Sequence, residues 1–174
     1  MAKKQNLDDL ISRLEEKEKE STIIYADEET EQVVIFELGG YKFAFPGISI
    51  SEILPYESIT TLPGLPIHFL GFITLRGAVE AVLDPRRILN LPVDEPGSNS
   101  RILVTSNEDY TIGIWVDTVL DVVDIPKSQI HPPLKTFDKV KAEFISGEFD
   151  YKGKQIVYLS IIKFFASLQE TINE

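Results

Sequence analysis

The chain has no cysteine, one methionine, one tryptophan and two histidines in 174 residues. Without cysteine there is no disulfide framework, no thiolate metal site and no thiol nucleophile. His68 and His131 lie near prolines and apolar residues and lack ligand spacing such as His-Glu-x-x-His, so neither marks a metal site. Basic residues are also scarce, 17 against 28 acidic ones, for a formal net charge of −11. Phosphate backbones and anionic lipid surfaces are bound by clustered Lys and Arg, so nucleic acid is excluded and partners are proteins or small molecules. No apolar run approaches the roughly 20 residues that span a bilayer. Residues 1–20 are too charged for the apolar centre of a signal peptide. These absences imply a soluble cytoplasmic protein without direct membrane insertion.

Signatures of catalysis are missing as well. There is no phosphate-cradling Gly-x-x-x-x-Gly-Lys-Ser/Thr string and no Gly-x-Ser-x-Gly elbow, and the Gly39-Gly40 pair reads as a turn. Asp84, Asp117 and Asp121 could in principle form an acid/base pair or hold a divalent cation, but their positions fit solvated faces. No catalytic, cofactor-binding or metal-binding residue is assigned; a small acidic β-rich enzyme is the alternative from another class.

What is present is a strand-rich body behind a charged extension. Residues 1–31 carry five basic and ten acidic side chains. Within them Leu7, Leu10, Ile11 and Leu14 recur at helical spacing, which predicts an amphipathic helix over 6–20 capped by Asn6. So short an apolar stripe is marginal alone; it docks on the body, frays as a tail or binds a partner. From Gln32 onward the pattern is that of strands. Val33–Leu38 and Tyr41–Phe45 flank Gly39-Gly40 as a hairpin, and Leu70–Leu75 and Val79–Leu83 flank Arg76-Gly77 as another. Asp84-Pro85 opens a short helix over 84–89, and residues 92–100 form a linker. Strands then follow near 101–105, 110–117, 119–124, 143–150 and 154–160, before a closing helix at 161–171. About ten short strands with few helices predict a mainly β fold of two small barrels.

The second half repeats the first. Tyr41-Lys42-Phe43-Ala44-Phe45 is echoed by Tyr110-Thr111-Ile112-Gly113-Ile114, 69 residues later, and Gly71 to Gly77 by Gly147 to Gly153, 76 residues later. The duplicated β units cover about 32–92 and 100–160. A molecule with two related faces suits a connector better than a catalyst.

Several spaced motifs carry a family resemblance. Phe36, Leu38-Gly39, Tyr41, Phe43-Ala44-Phe45, Ile50-Ser51-Glu52-Ile53, Leu62-Pro63-Gly64-Leu65-Pro66, Gly71-Phe72-Ile73-Thr74-Leu75-Arg76-Gly77 and Val82-Leu83-Asp84 occur in one order, followed by Gly113-Ile114-Trp115-Val116-Asp117-Thr118-Val119. Together they resemble the CheW family of bacterial chemotaxis coupling proteins over about residues 32–168. Departures include Thr74 in place of the family's Asn before Leu-Arg-Gly, and Ala81-Val82-Leu83-Asp84-Pro85 in place of Pro-Val-x-Asp-Leu.

The resemblance implies two five-stranded β-barrel subdomains within a CheW-like domain of 32–170. It implies a non-enzymatic scaffold that binds the regulatory domain of a CheA-type histidine kinase and the cytoplasmic tips of chemoreceptors, with no cofactor. An adaptor of the same fold serving a different chemosensory or motility array is the alternative. Partner-binding residues implied are Ile50, Glu52, Ile53, Leu75, Arg76, Gly77, Val116 and Val119. Glu52 and Arg76 are expected to pair, and Ile50, Ile53, Val116 and Val119 to line an apolar groove for a receptor helix. Phe43, Phe45, Tyr110 and Trp115 are expected in the core or between subdomains.

Overall fold

The computed structural model describes residues 12–13, 28–56, 59–106, 108, 111–133 and 142–172. Apart from Ser12 and Arg13, the expected helix over 6–20 lies outside these residues, as does Tyr110. The chain divides into Met1–Thr30 and Glu31–Glu174, and the architecture below is that of the second unit.

Among the described residues ten strands build it: β1 (Thr30–Leu38), β2 (Tyr41–Pro46), β3 (Ile50–Pro55), β4 (Phe69–Leu75), β5 (Ala78–Leu83), β6 (Arg101–Ser106), β7 (Thr111–Val116), β8 (Thr118–Pro126), β9 (Ile145–Tyr151) and β10 (Lys154–Leu159). Helix α1 (Pro85–Leu89) follows β5, and α2 (Ile161–Ile172) follows β10. The strands form two five-stranded sheets, ordered β8-β1-β2-β10-β9 and β3-β6-β7-β5-β4, which correspond to the two expected subdomains. Replacing each strand of the first order by its counterpart in the other half of the chain gives the second order. The repeat is therefore interleaved: each sheet takes two strands from one half and three from the other. Registers obey the same rule. Phe43 pairs with Val157 across the parallel β2–β10 contact, and Ile112 with Ala81 across β7–β5, which are equivalent pairs at offsets of 69 and 76.

Period-two alternation sorts the apolar residues into three cores. In β1, Val34, Phe36 and Leu38 enter a core shared by both sheets, whereas Val33 and Ile35 face a core belonging to the first sheet. In the second sheet Ile112, Ile114 and Val116 of β7 join the shared core, and Trp115 packs with Ile73, Val82, Ile102 and Val104 on the sheet's other face. Helix α2 buries Ile161, Phe164 and Phe165 at spacings of three and four. Phe164 meets Phe45 edge-on at 5.6 Å and Phe144 at 5.0 Å.

Among the described residues, each sheet is tied to itself by one isolated bridge. Thr60, beyond the end of β3, exchanges two 2.9 Å backbone hydrogen bonds with Phe72 of β4; His131, beyond β8, does the same with Glu148 of β9 at 2.8 and 2.9 Å. The chain leaving one edge strand thus reaches the opposite edge strand, and edge groups that would otherwise be unpaired are covered. The equivalent glycines Gly71 and Gly147 make this approach possible. A Cβ would stand 2.3 Å from the Thr60 carbonyl oxygen at Gly71, and 2.7 Å from that of His131 at Gly147. Gly71 also has φ +149°. Gly71→Ala is therefore expected to cost at least about 2 kcal/mol in denaturant unfolding, whereas Gly97→Ala, with open space around it, is expected to stay within about 0.5 kcal/mol. Equal effects would contradict the bridge geometry.

Candidate partner-binding surface

Arg76 and Gly77 form the β4–β5 turn with φ values of 51° and 86°, the left-handed pair that a two-residue hairpin needs. This conformation sets the Arg76 side chain, 79% exposed, against Glu52 of β3 at 2.7 Å. The expected pair is present, but with so exposed a guanidinium it contributes about 0–1 kcal/mol. Glu52 and Arg76 line an open cleft of about 400 Å³ in the second sheet, together with Leu75, Glu80 and Thr111.

The other sheet carries an equivalent cleft of about 230 Å³. Asp121, Tyr151, Lys152, Lys154 and Lys42 occupy the places of Glu52, Leu75, Arg76, Ala78 and Thr111. Lys152 has φ 52° and precedes Gly153 at 73°, so the turn is repeated, and Lys152 reaches Asp121 at 3.2 Å. Tyr151 adds a 2.6 Å hydrogen bond to the same carboxylate. That bond, followed by the one from Lys152, holds Asp121 below the usual carboxylate range, while Tyr151 and Asp121 raise Lys152. Among the described lining residues the charge balance differs between the clefts. Glu52 and Glu80 oppose Arg76 in the first, whereas Lys42, Lys152 and Lys154 oppose Glu37 and Asp121 in the second.

The eight residues implied by the family motifs do not form one surface. Glu52, Leu75 and Arg76 share the first cleft, with Gly77 in its turn. Ile50 and Val119, equivalent residues of β3 and β8, are half-buried against the shared core, at the seam between the sheets. Ile53 points outward from β3 at 40% exposure, and Val116 is fully buried in the shared core. Among the carboxylates read as solvated, Asp84 is 2% exposed. It caps α1 by accepting from Arg86 N–H and also faces the buried Arg86 guanidinium at 3.3 Å. Sequence reasoning missed Arg86, whose partners are not periodic neighbours. It also missed the Asp121–Lys152 pair, which transferring Glu52 and Arg76 along the repeat would have found.

Because the folded-state pKa of Asp121 is lowered, its stabilisation is present above the ordinary value of 3.8 and is lost as pH falls through the folded value. Tyr151→Phe removes the largest cause, so the Asp121 carboxyl titration followed by NMR is expected to move up toward 3.8. An unchanged midpoint would contradict the assignment.

Residues 32–169 match the family model described as the CheW-like domain. The chain is 32% identical over 100 residues to the chemotaxis protein CheW of Bacillus subtilis, an alignment covering 58% of this chain and 64% of that protein. It is 31% identical over 134 residues to Protein FrzA of Myxococcus xanthus, covering 77% of this chain and 82% of the relative. Its fold is similar to the crystal structure of the scaffolding protein TtCheW from Thermoanaerobacter tengcongensis, with a TM-score of 0.69 at 24% identity over 76% of this chain and 86% of that one. Among the described residues no helix is long and apolar enough to cross a membrane, and no group of three metal-binding side chains occurs. With its family model spanning both sheets, the chain belongs to the CheW family of chemotaxis coupling proteins.

Proposed function

We propose that this chain is a non-enzymatic cytoplasmic scaffold that couples chemoreceptors to a CheA-type histidine kinase. The observation that carries the reading is the CheW-like domain over residues 32–169, folded with an equivalent cleft in each sheet and a core shared by the two. Rigid contacts at separate surfaces are what a connector needs, since receptor shifts reach the kinase only through them.

In this reading the apolar stripe of a receptor-tip helix lies along the seam at Ile50 and Val119, with Val116 supporting it from beneath and Ile53 extending the surface on β3. The Glu52–Arg76 cleft, with Leu75 and Gly77, meets the kinase regulatory domain, and the opposite sheet meets another copy. The Arg76 fork suits a partner carboxylate. Because the guanidinium is mostly exposed, it can exchange its internal partner at little cost to the fold. The protein works in the cytoplasm and is recruited to receptor arrays.

The test is capture of a purified CheA regulatory domain and of a receptor-tip fragment by the full chain. Wild type is expected to retain both, and Arg76→Ala to lose kinase-domain capture at least tenfold while keeping the receptor fragment. Retention of neither by wild type would overturn the proposal. A double-mutant cycle on unfolding is expected to give Glu52 and Arg76 a coupling of about 0–1 kcal/mol, which separates a partner-facing pair from a stabilising one.

A further inference from the structure

The chain passes from one sheet to the other twice, between β2 and β3 and between β7 and β8. At the second crossing a single residue, Asp117, separates the strands. One carboxylate oxygen accepts from the Gly39 N–H at 2.7 Å, the other accepts from Arg86 Nη2, and the Asp117 N–H donates to the Glu37 carbonyl at 3.0 Å. Glu37 and Gly39 belong to the β1–β2 hairpin of one sheet; Arg86 belongs to α1, which continues β5 of the other. Arg86 is itself immobilised. It is fully buried, faces Asp84 at 3.3 Å and lies 3.8 Å from the centre of the Trp115 ring.

The other crossing has none of this. The repeat offsets put Ile48 in the place of Asp117 and Ile162 in the place of Arg86. Both are exposed, at 96% and 76%. Ser160 and Pro46 stand where Asp84 and Trp115 stand. The pseudo-symmetry that relates the strands, turns and clefts is broken at this pair of positions.

The shared core does not fix the angle between the sheets by itself, because apolar burial is non-directional. Charge-assisted hydrogen bonds are short and directional, and a guanidinium stripped of water cannot easily trade them for others. We propose that Arg86 and Asp117 are positioning residues: a one-sided clasp that sets the two sheets relative to each other, so that any yielding between them occurs at the Ile48 crossing. Val119 lies two residues beyond the clasped crossing and Ile50 two beyond the open one. On the reading of the seam as a receptor site, Val119 is its fixed wall and Ile50 the wall that adapts.

The absence of cysteine allows a direct test in the full chain. Val79→Cys on β5 and Gln155→Cys on β10 place spin labels at equivalent exposed positions, one in each sheet, and pulsed dipolar spectroscopy gives their distance distribution. Asp117→Ala is expected to broaden it at least twofold and Asp117→Asn by a smaller amount. Ile48→Ala is expected to leave it unchanged, as is Ile73→Ala, which weakens the inner core of one sheet without touching the clasp. If Asp117→Ala does not fold, Asp117→Asn decides. Unchanged width in the folded Asp117 variant, or equal broadening in Ile73→Ala, would overturn the proposal. No partner enters the measurement, so its failure would leave the proposed function untouched.

Discussion

The structure depends on one constraint: the central strands must bury both faces. Residues of β1, β2, β6, β7 and β10 alternate between a core private to their sheet and a core shared by the two. Phe36, Phe43 and Phe45 from one sheet meet Leu103, Ile114 and Val116 from the other. Separated from its partner, either sheet would present a continuous apolar wall to water, and burial of that wall is the main favourable term holding the halves together. The interleaved topology adds to this, since each sheet is completed by strands from the other half of the chain. The seam where Ile50 and Val119 sit is the visible border of that shared core.

With the two sheets so related, features of one recur in the other. The hairpin turns at Arg76-Gly77 and Lys152-Gly153 share their backbone conformation, and each sets a cation against an acid on the neighbouring strand. Residue identities differ on the cleft walls. There Lys154 stands in the place of Ala78 and Lys42 in the place of Thr111, and the net charge of the described lining residues changes sign. The clefts, at about 400 and about 230 Å³, thus differ in size as well as charge.

Much of the fold was legible because strands advertise themselves locally. Alternation in Val33–Leu38, paired glycines and the Arg76-Gly77 turn set the hairpins, and Asp84-Pro85 set the start of α1. The interleaving was not legible, since no local pattern says that β2 will pair in parallel with β10 across more than a hundred residues. The same limit hid the clasp: Arg86 and Asp117 are 31 residues apart, and isolated carboxylates and arginines usually mean solvated surface. The Glu52–Arg76 contact was reachable through family motifs. Those motifs also put Val116 beside a partner, where the alternation of β7 gives it to the shared core. Spacing along a strand decides which face a residue takes, and β7 turns Ile112, Ile114 and Val116 the same way.

The proposed function requires the Ile50–Val119 seam and the Glu52–Arg76 cleft to be separate, so that one copy would hold two partners at once. Sedimentation of the full chain with a receptor-tip fragment and a kinase regulatory domain, each in excess, measures this directly. A ternary complex with one copy of each is the expected result. Mutually exclusive binding, with one partner displacing the other, would contradict it.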